Sequence, residues 1–100
     1  MPRHSHDELV AAAIESLGAT ADPSGGADLT FDKGSMVVAA EPGDMKAAFK
    51  RIKKVDGYRW VLINREDLFA ANSLSIGSKA GMITADGTIL KQADIPRRKI

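Results

Sequence analysis

The chain predicts a small single α+β domain, an antiparallel sheet of about five short strands packed by two main helices and one short helix. Three observations carry this expectation. Residues 5–17 and 44–55 repeat apolar side chains at helical spacing. Short β-prone runs flank tight turn signals at Asp32-Lys33-Gly34 and Asp86-Gly87. At 100 residues, one core is the natural size, so residues 1–100 are expected as one domain, with frayed ends at 1–4 and 95–100.

The first helix is expected over residues 5–17. Ser5 and Glu8 have the Ser-x-x-Glu spacing of a capping box. Leu9, Val10, Ala13, Ile14 and Leu17 form its apolar stripe, and Gly18 is placed to end it in a left-handed turn. Asp7 and Glu8 suit the helix dipole in the first turn. Residues 19–27 read as a loop. Asp28–Phe31 and Ser35–Ala40 read as a hairpin, which Glu41-Pro42-Gly43 terminates.

Asp44 is the expected N-cap of a second helix running to about Val55. After the turn at Asp56-Gly57, residues 58–63 (Tyr-Arg-Trp-Val-Leu-Ile) give the strongest strand signal, apolar on both faces and therefore central. Asn64 caps a short helix from Arg65 to about Ala71, carrying Leu68 and Phe69. Residues 72–81 read as a loop anchored by Leu74 and Ile76, and 82–85 and 88–90 as a final hairpin. The tail from Lys91 contains Pro96 and the basic cluster Arg97-Arg98-Lys99.

Composition narrows the chemistry. The chain has no cysteine, which removes thiolate metal sites, cysteine nucleophiles and disulfides. It has no apolar run long enough to cross a bilayer and no apolar secretory leader, so a cytoplasmic protein with no membrane partner is expected. Both histidines, His4 and His6, lie within the first six residues, so no Ser/His/Asp set can be drawn. His4 and His6 would need a third ligand to hold a metal. Asp56, Glu66, Asp67 and Asp86 are explained by turns and helix starts. Gly77-Ser78-Lys79-Ala80-Gly81 lacks the order of a phosphate-binding loop. No catalytic residue, metal or cofactor is expected, and a small enzyme is the weakest of the readings.

The net charge of +1 conceals a strong polarity. Residues 1–42 hold two basic and seven acidic residues, net −5; residues 43–100 hold twelve basic and six acidic, net +6. The second helix concentrates the positive charge. Lys46, Lys50, Arg51, Lys53 and Lys54 fall within an arc of about 160° on a helical projection. Met45, Ala48, Phe49, Ile52 and Val55 fill the opposite arc. No acidic residue lies between 45 and 55, and Lys46–Lys50 and Lys50–Lys54 are like-charge i,i+4 pairs.

This pattern predicts a non-catalytic binding module that meets nucleic-acid phosphate through Lys46, Lys50, Arg51, Lys53 and Lys54, with Arg97, Arg98 and Lys99 as accessory groups. Arg59 and Arg65 join that surface only if they share its side. Trp60 and Tyr58 are rings that a base could stack on, but a chain with five aromatics is expected to keep Trp60 inside. The alternative is a protein–protein regulator (an inhibitor, antitoxin or adaptor of the mobile-element type) using its charged surface or a strand edge. An acidic protein partner, or a homodimer of acidic half against basic half, belongs to that alternative.

Overall fold

The structure is a computed structural model and describes residues 4–23, 25–55 and 57–93. It is a small α+β protein with three helices and a six-stranded mixed sheet. In chain order the elements are α1 (His6–Leu17), β1 (Thr20–Ala21), β2 (Leu29–Phe31), β3 (Gly34–Ala39), α2 (Pro42–Ile52), β4 (Arg59–Ile63), a 3-10 turn (Arg65–Asp67), α3 (Leu68–Ser75), β5 (Ala80–Ile83) and β6 (Ile89–Lys91). The sheet order follows the chain, β1-β2-β3-β4-β5-β6.

The antiparallel expectation is corrected at the centre of the sheet. β1–β2, β2–β3 and β5–β6 are antiparallel, but β3–β4 and β4–β5 are parallel. The physical reason is the crossover. α2 and α3 each carry the chain back along a sheet face, so the next strand starts where the previous one started. Buried parallel strands read as unbroken apolar runs, and Met36-Val37-Val38-Ala39-Ala40 and Trp60-Val61-Leu62-Ile63 are such runs. The strand count is six because Thr20–Ala21 pairs with β2 inside the segment expected as a loop.

Alternation along the central strands divides the core in two. Val37, Ala39, Val61, Ile63, Ala80 and Met82 face α2 and α3. Met36, Val38, Trp60, Leu62 and Ile83 face α1 through Leu9 and Ala13. Trp60 is 3% exposed, donates its indole N–H to the Lys33 carbonyl at 2.9 Å, and meets Phe31 edge-on with centroids 6.0 Å apart. It is a core residue and offers no ring to a ligand. A Cβ at Gly81 would collide with the Trp60 ring and with the backbone of residues 91 and 93, which explains a glycine in β5.

Local signals explain the helix ends. Ser5 Oγ accepts from the Glu8 N–H, and Glu8 Oε1 accepts from the Ser5 N–H, completing the capping box. Gly18 ends α1 at φ 66°, in the left-handed region. α2 begins three residues earlier than expected, its N-cap at Glu41 rather than Asp44. Pro42 takes a first-turn position that suits its missing N–H, Glu41 sits at the N-cap, and Asp44 lies in the first turn. The helix stops at Ile52, and Lys53 and Lys54 continue as a turn.

Candidate nucleic-acid interface

α2 is positioned by its apolar face. Met45, Ala48, Phe49 and Ile52 are each 4% exposed or less and pack on β3, β4 and α3. Burying such a set outweighs the mild repulsion among lysines on the other side, because one fully buried Phe or Ile is worth about 1.5–3 kcal/mol and a like-charge i,i+4 pair only about 0.2–0.5. Phe49 and Ile52, on the apolar arc expected from the sequence, are thus on the docked side of the helix. Val55 is half-buried against the same cluster.

The cations on the other arc divide into two groups. Lys46, Lys50, Lys53 and Lys54 are exposed, and among the described residues no carboxylate lies within ion-pair distance of them. Arg51 is different. Its Nη1 meets Asp28 Oδ1 at 2.7 Å, its Nε donates to the Gly26 carbonyl at 3.1 Å, and its Nη2 donates to the Gly25 carbonyl at 3.1 Å. Asp28 is itself fixed, since its Oδ2 accepts from the Val38 N–H at 2.8 Å. The guanidinium thus ties α2 to the loop before β2, and its donor fork is already used inside the fold.

The remaining sequence candidates do not converge on the strip. Arg59 donates to the Val55 carbonyl at 2.6 Å and to the Ser78 carbonyl at 3.3 Å, closing the ends of β4 and β5. Arg65 lies at the opposite, carboxyl end of β4. Arg97, Arg98 and Lys99 lie outside the described residues. In the glycine-flanked loop the Ser78 hydroxyl is engaged within the fold: it donates to the Ser75 carbonyl and accepts from the Ala80 N–H. Lys91 Nζ donates to Ser75 Oγ at 2.7 Å, and Ser75 donates on to the Asn72 carbonyl. Ser75 is 1% exposed.

A second concave feature lies at the carboxyl ends of β4 and β5, the edge where parallel sheets commonly receive ligands. It is a cavity of about 360 Å³ bounded by His4, Leu9, Ile63, Asn64, Arg65 and Asp86, among others. Its buried polar groups serve the fold. Asn64 donates to the Ala40 and His4 carbonyls and accepts from the His4 N–H. The Thr84 hydroxyl donates to Asp86, which also accepts from the Thr88 N–H. These bonds hold the Asp86 carboxyl below its ordinary range, the Thr84 hydroxyl contributing most. Among the described residues, no group of three or more His, Asp or Glu is placed to hold a metal ion, and no helix is long and apolar enough to cross a membrane.

The structure adds one feature beyond the expected set. The short helix continues to Ser75, four residues past its expected end at Ala71, and so turns Phe69 outward. Ala71 and Ser75 are buried, Leu68 and Leu74 are half-buried, and Phe69 and Ile76 are 93% and 71% exposed. Small residues at 71 and 75, three and seven positions after Leu68, are the sequence signal for that register.

Compared with protein-family models, curated proteins and solved structures, the chain matches none.

Proposed function

We propose that the protein is a small non-catalytic binding module that contacts nucleic-acid phosphate through Lys46, Lys50, Lys53 and Lys54. The observation that carries this reading is a helix whose apolar side is fully buried while four neighbouring ammonium groups stand in water without a carboxylate partner among the described residues. Lysine is a strongly hydrated point charge on a flexible stem, suited to backbone phosphates and poor at reading base edges. The contact is therefore electrostatic and largely independent of sequence. Arg51 is left out of the contact set because Asp28 and two carbonyls occupy it.

Counterion release gives a quantitative test. Four neutralised phosphates on a duplex give a log–log slope of affinity against salt of about −3.6. Fluorescence anisotropy with a labelled oligonucleotide across a salt series measures it. Lys50→Glu with Lys54→Glu is expected to remove binding while the circular dichroism spectrum stays unchanged. Binding retained at an unchanged slope overturns the proposal.

A further inference from the structure

Lys79 is the one residue other than glycine, among the described residues, with its backbone in the left-handed region, at φ 61°. Glycine or asparagine takes that conformation at less cost, so a lysine held there goes against local preference. The residue is half-buried, and its ammonium group has no hydrogen-bond or ion-pair partner among the described residues.

Hydrogen bonds place Lys79 beside the end of the lysine strip. α2 returns the chain to the start of β4, and α3 returns it to the start of β5, so both connections finish at the amino end of the parallel strands. There the Arg59 guanidinium spans the two connections. It donates from Nε to the Val55 carbonyl at 2.6 Å and from Nη1 to the Ser78 carbonyl at 3.3 Å. Val55 directly follows Lys53 and Lys54, and Ser78 directly precedes Lys79. Arg59 is also the register partner of Ala80, the residue after Lys79. From β6, Lys91 Nζ donates to Ser75 Oγ, and the Ser75 carbonyl accepts from the Ser78 N–H and hydroxyl. Lys53, Lys54, Arg59, Lys79 and Lys91 thus gather at one end of the sheet. Among the described residues, no carboxylate lies within ion-pair distance of any of them.

Helix dipoles account for part of this gathering. Lys53 and Lys54 sit in the turn that closes α2, where a cation is favoured. Lys79 lies four residues beyond Ser75, the end of α3, past the last turn over which that effect acts. Arg59 and Lys91 direct donors at oxygens of the fold, so they raise the local positive potential without being free to grip a ligand.

We propose that Lys79 is a further phosphate contact, and that the nucleic-acid backbone crosses the amino end of the parallel strands, passing from Lys50, Lys53 and Lys54 onto Lys79. This rests on the phosphate-binding reading and extends its surface from α2 to the loop before β5. Strained backbone clusters at binding and switch sites, which fits a lysine kept where glycine would be easier.

The test measures the salt dependence of binding to a labelled duplex oligonucleotide, using the full chain, Lys79→Asn, Lys79→Arg, Arg65→Gln and the Lys50→Glu/Lys54→Glu variant. Asparagine tolerates the left-handed backbone while removing the charge. Arg65→Gln makes the same charge change at the opposite end of β4. A fifth neutralised phosphate steepens the log–log slope from about −3.6 to about −4.5. Lys79→Asn should return it to about −3.6 and weaken binding about 5- to 10-fold in about 0.1 M salt, without lowering the melting temperature. Lys79→Arg should keep the steeper slope, and Arg65→Gln should match the full chain. A full-chain slope near −3.6 that Lys79→Asn leaves unchanged, with binding lost in the Lys50→Glu/Lys54→Glu variant, overturns this inference and leaves the α2 reading standing. An equal loss in Arg65→Gln does the same, since any cation would then serve. Absence of duplex binding by the full chain overturns both. A parallel arm with phosphatidylserine vesicles and with polyglutamate separates other sources of negative charge. Binding to either that needs Lys79, without oligonucleotide binding, assigns the surface to that partner and also overturns both.

Discussion

α1 and α2 are both amphipathic helices on the same sheet, and their charges are handled in opposite ways. α1 carries Asp7, Glu8 and Glu15 and no lysine or arginine. Its first-turn acids suit the dipole, and Glu8 is locked into the capping box. Its polar residues are explained by the helix itself. α2 has no side-chain cap and places its basic residues at the end that the dipole favours for Lys50 and Arg51. Among the described residues, Arg51 is the one cation of α2 with an ion-pair partner. The two helices pack on opposite faces, so the sequence polarity between acidic and basic halves becomes a polarity across the sheet. Among the described residues, Asp28 is the one carboxylate of the acidic half that pairs with a cation of the basic helix.

The difference teaches that burial and charge do separate work in α2, and substitutions can pull them apart. The largest effect is expected from the buried side. Phe49→Ala should cost about 3–5 kcal/mol in urea unfolding, since the ring fills the space between α2 and the central strands. A loss under 1 kcal/mol would mean that α2 is not docked as described. Next comes the ion pair between Asp28 and Arg51. Asp28→Ala removes the Arg51 pair and the acceptor for the Val38 N–H, with an expected loss of about 1.5–3 kcal/mol. The same variant releases Arg51, and the salt slope of oligonucleotide binding should steepen by about 0.9 if the guanidinium then joins the strip.

On α1, Ser5→Ala should cost about 1 kcal/mol, read as a lower melting temperature, because an exposed cap is worth no more. Acid should act in the same direction. Glu8 is held below its ordinary range mainly by the Ser5 backbone N–H, and Asp86 by the Thr84 hydroxyl. A depressed carboxyl contributes stability above its unfolded pKa and loses it as pH falls through the folded value, so melting temperature should decline below about pH 4. In the double variant Ser5→Ala/Asp86→Ala that decline should be shallower. The smallest effect is expected on the open side of α2. Lys50→Glu with Lys54→Glu should shift stability by no more than about 0.5 kcal/mol, because neither lysine has an ion-pair partner among the described residues. A larger destabilisation would show that these lysines serve the fold, and the binding surface would lose its rationale.

Much of this was legible from residue spacing. The capping box, Gly18, the apolar face of α2 and the buried character of residues 59–63 all follow from interactions a few positions apart. The parallel centre of the sheet was less so. Its signal, unbroken apolar runs alternating with helices, was obscured because Asn72-Ser73-Leu74-Ser75 has a loop-like composition yet completes α3. Tertiary packing overrode that composition by burying Ala71 in the cluster with α2 and Ser75 beside Lys91.

The candidate surface divides in the same way. Sequence alone determined that Lys46, Lys50 and Arg51 lie on the arc opposite the apolar face of α2, because helical geometry fixes the angle between residues of known spacing. It could not determine that Arg51 would be taken by Asp28, twenty-three positions away, or that Phe69 would stand exposed on α3. Those outcomes depend on which strands pair and which face each crossover helix covers, and such choices are made by long-range burial rather than local periodicity.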